Sequence, residues 1–176
     1  MGKLNNFKFQ VVKNFLSKDE LKIYKVYAEN AHRNNFSNFD LTQNNNADTY
    51  FYKDNLFEFL LRDKIKLVEE KTEYSLLPTY TFWRCYSYNA ELLKHKDRPS
   101  CEVSATIQIS SDTTWPIFMD GSKVNLEDGD AVIYKGCDLE HWREPFEGDH
   151  QIQVFLHYVD ANGKYKDYQN DNKGGR

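Results

Sequence analysis

The sequence is poor in the features that most quickly assign a chain to a class. It has three cysteines in 176 residues, Cys85, Cys101 and Cys137, which lie far apart and are odd in number. Neither a disulfide framework nor a Cys-x-x-Cys zinc site fits them. A reducing compartment is the simplest reading, so the expected location is the cytoplasm, or a host cytoplasm for a viral chain. No apolar run reaches transmembrane length and no stretch reads as a signal-peptide core, so no membrane role is expected. The start MGKLNN has Gly2 but lacks the Ser or Thr of a myristoylation signal. The net charge is −4 with both signs interspersed, so no basic field calls for nucleic acid. No repeat is evident, and the sequence leaves the oligomeric state open.

What is present is a chain that can build a core. Hydrophobic residues make up 40% of it and aromatics 15%, enough for a single domain over residues 1–176 without a disulfide or structural metal. FKFQVV alternates as a strand over residues 7 to 12. Ser17 followed three residues later by Glu20 is a capping box that opens a helix, with Leu21, Tyr24, Val26, Tyr27 and Ala31 at roughly helical spacing. The Asn-rich stretch 34–48 reads as a loop. YKDNLFEFLLRDKIKLVEEKTEY reads as a second amphipathic helix, with Leu56, Phe59, Leu60, Ile65 and Val68 toward a core, and Pro78 precludes any helix reaching it. Beyond Pro78, short alternating or aromatic runs are separated by turn signals such as SSDTT, MDGSK and EDGD. The expected fold class is mainly β with N-terminal helices (α+β). Helical support over about 13–76 packs on one face of a β-sandwich or jelly-roll core at about 78–160. The tail YQNDNKGGR is expected to fray.

The chemistry concentrates in LLKHKDRPSCEVSATIQIS and in EDGDAVIYKGCDLEHWRE. His95 and Asp97 stand two apart, and side chains two apart on an extended segment point the same way. His141 follows a Gly-Asp turn and an apolar strand. Two histidines and one carboxylate form the facial triad of non-haem Fe(II) oxygenases, which leaves three positions of an octahedron open. Read alone, the same residues also fit a polar loop: Asp97 can start a turn with Arg98 and Pro99, and His141 can stack beside Trp142. His32 reads as a surface residue and His157, in FLHYV, as a sheet-face histidine.

From Leu77 to Asp160 the chain resembles the 2-oxoglutarate/Fe(II)-dependent dioxygenase superfamily, in particular its prolyl-4-hydroxylase-like branch of bacterial and phage type. A tyrosine-containing strand, YSYNAELLKHKD, leads into H-x-D, and LEDGDAVIYKGCDLEH runs from a Gly-Asp turn to the distal histidine. FQVVKNFLSKDEL resembles the N-terminal strand and helix of that branch, and the likeness is weak over residues 33 to 76. The resemblance implies a double-stranded β-helix of jelly-roll or cupin-like type. It also implies that His95, Asp97 and His141 are metal ligands and catalytic residues, with Fe(II) as the metal and 2-oxoglutarate and O₂ as co-substrates. The implied reaction hydroxylates an unactivated C–H bond, most readily on a peptidyl, prolyl-type residue, with release of succinate and CO₂. The substrate, a peptide, protein or small molecule, is not encoded in a recognisable motif. Its determinants are expected in loops at 34–50 and 110–123.

One departure stands out. The branch usually holds the far carboxylate of 2-oxoglutarate with Arg or Lys nine to eleven residues after the distal histidine. Here His150, Gln151 and Ile152 occupy those places. Arg143, two after His141, and His150 are the preferred replacements, with Arg84 ranked after them. Tyr86 and Tyr88 match the tyrosines that the branch uses for the co-substrate. Gln108 is odd for a core face unless it bonds something polar. Arg98 is placed to orient Asp97 or to meet substrate, and Trp115 and Trp142 to wall the pocket or fill the core. The missing cation keeps two alternatives open: a cupin-type iron dioxygenase that does not use 2-oxoglutarate, and a non-catalytic jelly-roll binding module.

Overall fold

A computed structural model of the chain describes residues 6–34 and 49–171. The elements run β1 (Phe9–Val12), α1 (Lys18–Asn34), β2 (Thr49–Tyr52), α2 (Asn55–Asp63), α3 (Ile65–Thr72), β3 (Leu76–Tyr86), β4 (Leu92–His95), β5 (Val103–Ser111), β6 (Ile117–Met119), β7 (Ser122–Val124), β8 (Ala131–Tyr134), β9 (His141–Arg143) and β10 (Gln151–Asp160). Two antiparallel sheets result: a six-stranded one, ordered β1-β8-β5-β10-β3-β2, and a four-stranded one, ordered β4-β9-β6-β7. This is the jelly-roll with helices on one face that the turn-punctuated β pattern predicts.

The large sheet is buried on both faces, and side-chain alternation sorts its residues between them. On β5, Val103, Ala105, Ile107 and Ile109 join one apolar cluster with Ile152, Val154, Leu156 and Tyr158 of β10. Tyr24 and Ala28 of α1, Phe57, Leu60 and Leu61 of α2, and Val68 of α3 cover that cluster. The intervening residues face the interior between the sheets: Ser104, Thr106 and Gln108 on β5, and Gln151, Gln153, Phe155 and His157 on β10. Val132 and Tyr134 of β8 meet Ile117, Met119 and Leu139 there. A third group, Tyr86, Ala90, Trp115 and Phe146, plugs one end.

The capping box forms as read: the Ser17 amide donates to Glu20 Oε2 (2.7 Å) and the Glu20 amide to Ser17 Oγ (3.3 Å). Other expectations are corrected. The second helix is divided at Lys64, which stays right-handed but with ψ at −3°; its ammonium bonds Glu20 at 2.6 Å, tying the junction to α1. Val26 and Phe59 are exposed, since the buried stripes run through Tyr24/Ala28 and Phe57/Leu60/Leu61 instead. Thr49–Tyr52 adds an edge strand beside β3. Helix α3 stops at Glu73 in left-handed geometry (φ 59°), and Pro78 lies inside β3, where the register with β10 shifts. A proline cannot donate to the ladder, and an irregularity is where a strand tolerates one. Loop 34–48 lies outside the described residues apart from Asn34, which ends α1. Of the other expected substrate loop, residues 117–124 form the β6–β7 hairpin of the small sheet. Of the tail expected to fray, residues 172–176 lie outside the described residues; Lys166–Asp171 folds back in 3₁₀ turns and Asp171 is buried.

Candidate metal centre and the cavity behind it

His95 ends β4 and His141 opens β9, and the two are cross-strand partners in the small sheet. Their rings lie 4.3 Å apart, centre to centre. Each ring is held from behind: Nδ1 of His95 donates to the Leu93 carbonyl at 2.7 Å, and Nδ1 of His141 to the Leu139 carbonyl at 3.0 Å. A carbonyl only accepts, so both protons are fixed on Nδ1 in the neutral rings and both Nε2 lone pairs are turned forward. They converge on Asp97 Oδ1, at 3.4 and 3.5 Å. One ligand atom from each of the three residues falls within 4.8 Å of the others.

Asp97 is built for this place. Its amide donates to the Gly136 carbonyl at 2.8 Å. Its Oδ2 is buried without a hydrogen-bond partner, which is costly for a carboxylate unless something else meets it. Burial works to raise its pKa, yet the facing rings of His141 and His95, which donate to it through Nε2 only in their cationic form, hold it well below the usual carboxylate range. The bond to Asp97 in turn raises the pKa of His95, against the effect of burial. Gly136 makes the room: a Cβ there would stand 2.2 Å from the Cys101 carbonyl oxygen and 2.4 Å from Asp97 Oδ2. Two imidazole nitrogens with fixed tautomers, an ionised carboxylate and an orphaned carboxylate oxygen are a donor set that fits a divalent first-row metal with open positions.

The triad forms part of the wall of a cavity of about 450 Å³ between the sheets. Strand β3 contributes Tyr80, Phe82, Arg84 and Tyr86, every second residue, and β10 contributes Phe155 and His157. His157 bonds Ser104 Oγ through Nδ1 at 2.8 Å, and burial pushes its pKa down to about 4, so it is neutral near pH 7. It is a wall residue and lies outside the triad cluster. Burial, then the neighbouring Cys101 thiol, pushes the Tyr80 phenol up, so it stays protonated. Among the described residues that line the cavity, fixed positive charge comes from Arg84 and Arg98.

The remaining sequence candidates separate clearly. Tyr86 lines the cavity. Tyr88 does not: β3 ends at Tyr86, and the turn that follows, with Ala90 N bonded to the Ser87 carbonyl at 3.1 Å, carries Tyr88 to the surface at 62% exposure. Gln108 is also off the cavity, since its amide donates to Asp128 Oδ1 at 3.0 Å and braces the Gly-Asp turn. His150 has the wrong parity on β10. It precedes inward-facing Gln151, and its ring meets Cys85 Sγ at 3.5 Å and His32 at 6.3 Å between centroids, on the helix side. His32 is therefore half-buried rather than a surface residue, with Nδ1 2.9 Å from Thr49 Oγ1. Arg143 is buried behind the cavity wall, stacked 4.7 Å over the Trp115 ring and donating to the Trp115 carbonyl. Trp115 thus fills the core, while Trp142 stacks on Phe118 at 5.1 Å, away from the cavity.

Arg84, ranked third from sequence, is the arginine of β3 that faces the cavity. It is 1% exposed and lies against the rings of Phe82 (5.4 Å) and Tyr86 (5.8 Å). Its register partner on β10 is Gln153. Gln153 and Gln151 are neutral and occupied: Gln151 Nε2 donates to Gln153 Oε1 (3.0 Å) and Gln153 Nε2 to Thr106 Oγ1 (2.7 Å). The positions of β10 where the resemblance expects a cation carry a polar ladder instead, and a guanidinium stands on the neighbouring strand. Counting alternate positions back from Tyr86 would have found Arg84 and Tyr80. No sequence signal beyond Lys135-Gly136 after an apolar strand marked Gly136.

No family model matches the sequence, and no curated protein matches it. Solved structures share its fold. The viral collagen prolyl hydroxylase vCPH from Paramecium Bursaria Chlorella virus-1, in complex with 2OG, superposes with a TM-score of 0.66 at 11% identity, over 89% of this chain and 98% of that one. A Pseudomonas putida prolyl-4-hydroxylase gives 0.65 at 15% identity, over 89% and 95%. HygX from Streptomyces hygroscopicus, with nickel and 2-oxoglutarate bound, gives 0.68 at 11% identity, over 88% and 83%.

Proposed function

We propose that the chain is an Fe(II)- and 2-oxoglutarate-dependent oxygenase. In the proposed reaction a substrate C–H bond, 2-oxoglutarate and O₂ yield the C–OH product, succinate and CO₂. The observation that carries this reading is the convergence of His95 Nε2 and His141 Nε2 on Asp97 Oδ1, with both Nδ1 atoms held by backbone carbonyls. The fold shared with 2-oxoglutarate-bound structures supports it. The two prolyl hydroxylases among those structures support a prolyl-type carbon as the site of hydroxylation.

Bound iron would supply oxygen activation and oxidative decarboxylation of the co-substrate. The residues do the rest. His95, Asp97 and His141 hold the metal on one side of the cavity. Arg84, rather than Arg143 or His150, holds the far carboxylate of 2-oxoglutarate by charge-assisted hydrogen bonds. Tyr86 lies under the guanidinium and fixes its plane. Phe82, Phe155 and Tyr134 keep water from the reacting region.

The test is succinate release from the Fe(II)-loaded chain given 2-oxoglutarate, O₂ and a panel of prolyl peptides, free amino acids and nucleobases. No succinate with any of them removes 2-oxoglutarate from the reading. A His95→Ala variant that binds Fe(II) with undiminished affinity removes the triad.

A further inference from the structure

The cavity has two guanidinium groups and the proposed co-substrate uses one. Arg98 directly follows Asp97, and its side chain lines the same cavity. It lies 4.6 Å over the Tyr80 ring, with Nε 3.4 Å from the Tyr80 hydroxyl. Its Nη2 is met at 3.1 Å by Asp171, a residue 73 positions away at the end of the described chain. The Asp171 side chain is fully buried, whereas that of Arg98 is 36% exposed. Tyr52 also donates to Asp171 Oδ2, but Oδ1 is buried with no hydrogen-bond partner.

This arrangement is unusual for a purely structural ion pair. A buried carboxylate in a well-fitted pair has both oxygens satisfied. The segment that brings Asp171 here pays in backbone geometry: Gln169 interrupts the 3₁₀ turns at φ −46°, ψ 135°, and both Asn170 (φ 55°) and Asp171 (φ 58°) are left-handed. Among the further contacts of the segment are exposed ones from Lys53 to the Asn170 carbonyl (2.9 Å) and from Arg62 to its side chain (3.4 Å). A strained strap with exposed tethers places an incompletely satisfied carboxylate on a cavity cation.

We propose that Arg98 is the receptor for a carboxylate of the substrate, and that Asp171 holds that place until the substrate displaces the strap formed by residues 166–171. This rests on the oxygenase reading for the word substrate, but the binding event needs neither metal nor 2-oxoglutarate. It narrows the substrate class to molecules with a free carboxylate near the reacting carbon, such as an amino acid derivative or a peptide ending at the modified residue.

The experiment uses the full chain without added metal or 2-oxoglutarate. N-acetylproline, N-acetylleucine and N-acetylphenylalanine are each titrated as free acid and as amide by calorimetry, and hydrogen exchange is followed over residues 164–171. At least one acid is expected to bind and speed strap exchange, while its amide does neither. Asp171→Asn removes the competing charge and is expected to tighten acid binding about tenfold, and Arg98→Gln to weaken it by at least about tenfold. Arg84→Gln separates the two cations of the cavity: acid binding lost there and kept in Arg98→Gln would place the carboxylate on the co-substrate anchor instead. The proposal is overturned if no acid binds even to Asp171→Asn, if acids and amides bind alike, or if Arg98→Gln leaves acid binding undiminished. Because no turnover is read, none of these outcomes depends on the succinate assay. Circular dichroism melts of each variant separate lost binding from lost folding.

Discussion

Replacing Gly136 with alanine tests the metal centre through a single methyl group. Non-bonded carbon and oxygen approach to roughly 3.3 Å. The new Cβ would stand 2.2 Å from the Cys101 carbonyl oxygen and 2.4 Å from Asp97 Oδ2. About 1 Å of overlap must therefore be relieved on each side. The carbonyl belongs to the backbone of the Pro99–Cys101 3₁₀ turn and yields little. The carboxylate is the softer neighbour, so Asp97 should swing away by about that distance. Metal sites tolerate roughly 0.2 Å of ligand displacement, so Asp97 would cease to be a ligand, and Fe(II) affinity should fall by at least ~100-fold. Overpacking should also cost about 1–3 kcal/mol, which for a chain of this size lowers Tm by about 2–12 °C. Gly148→Ala is the matched control. Its Cβ would meet Asp112 Oδ1 at 2.2 Å and Phe146 Cζ at 2.6 Å, away from the triad. It should lower Tm in the same way and leave metal affinity alone. Anaerobic Fe(II) titration and thermal melts of both variants decide the matter. Wild-type Fe(II) affinity in Gly136→Ala, or an equal loss in Gly148→Ala, would refute the reasoning.

Three further expectations follow from the same structure. Arg84→Gln should weaken 2-oxoglutarate binding by about 10- to 100-fold with Fe(II) affinity retained, measured by calorimetry; an unchanged co-substrate affinity would return the anchor to Arg143. His157 has a folded pKa pushed by burial from 6.5 to about 4, so between those values the unfolded chain binds the extra proton. Stability should therefore fall as pH drops through that window, by about 3 kcal/mol in all, and be level above it. Urea melts of wild type and His157→Gln should differ in slope there, and parallel pH profiles would count against the assignment. Ser17→Ala removes half of the capping box and should cost about 1 kcal/mol, seen as a lower Tm with succinate formation unchanged.

The triad was legible because its signals are local. H-x-D needs only an extended segment, and His141 is marked by the Gly-Asp turn and apolar strand before it. Of the expected co-substrate residues Tyr86 lines the cavity, whereas His150 lies off it, because counting from the distal histidine along the chain ignores which face of β10 each position takes. His150 falls on the helix side by one residue. Arg84 is set by the parity of a different strand, and only the β3–β10 register brings it opposite Gln153. Gln108 was rightly read as needing a polar partner, but that partner, Asp128, lies in a turn that only the folded chain brings near. The junction at Lys64 is tied to Glu20 of another helix, 44 positions away. The packed tail depends on Arg98 and Tyr52, far from it in sequence.

Strand β3 serves two tasks through one rule. Trp83 and Cys85 belong to the core beneath the helices, while Tyr80, Phe82, Arg84 and Tyr86 line the cavity. Selection on what the cavity accepts can therefore act on the second set while the first goes on specifying the fold. Drift in one set carries little penalty in the other, provided no single-residue insertion shifts the phase. A charged residue such as Arg84 can then be gained or lost on the cavity face while the jelly-roll survives the exchange. Structures that superpose well on this chain at 11–15% identity are what such a separation permits. Variants for a new substrate are accordingly best sought at Tyr80 and Phe82 of β3, and stabilising ones at Trp83 and Cys85.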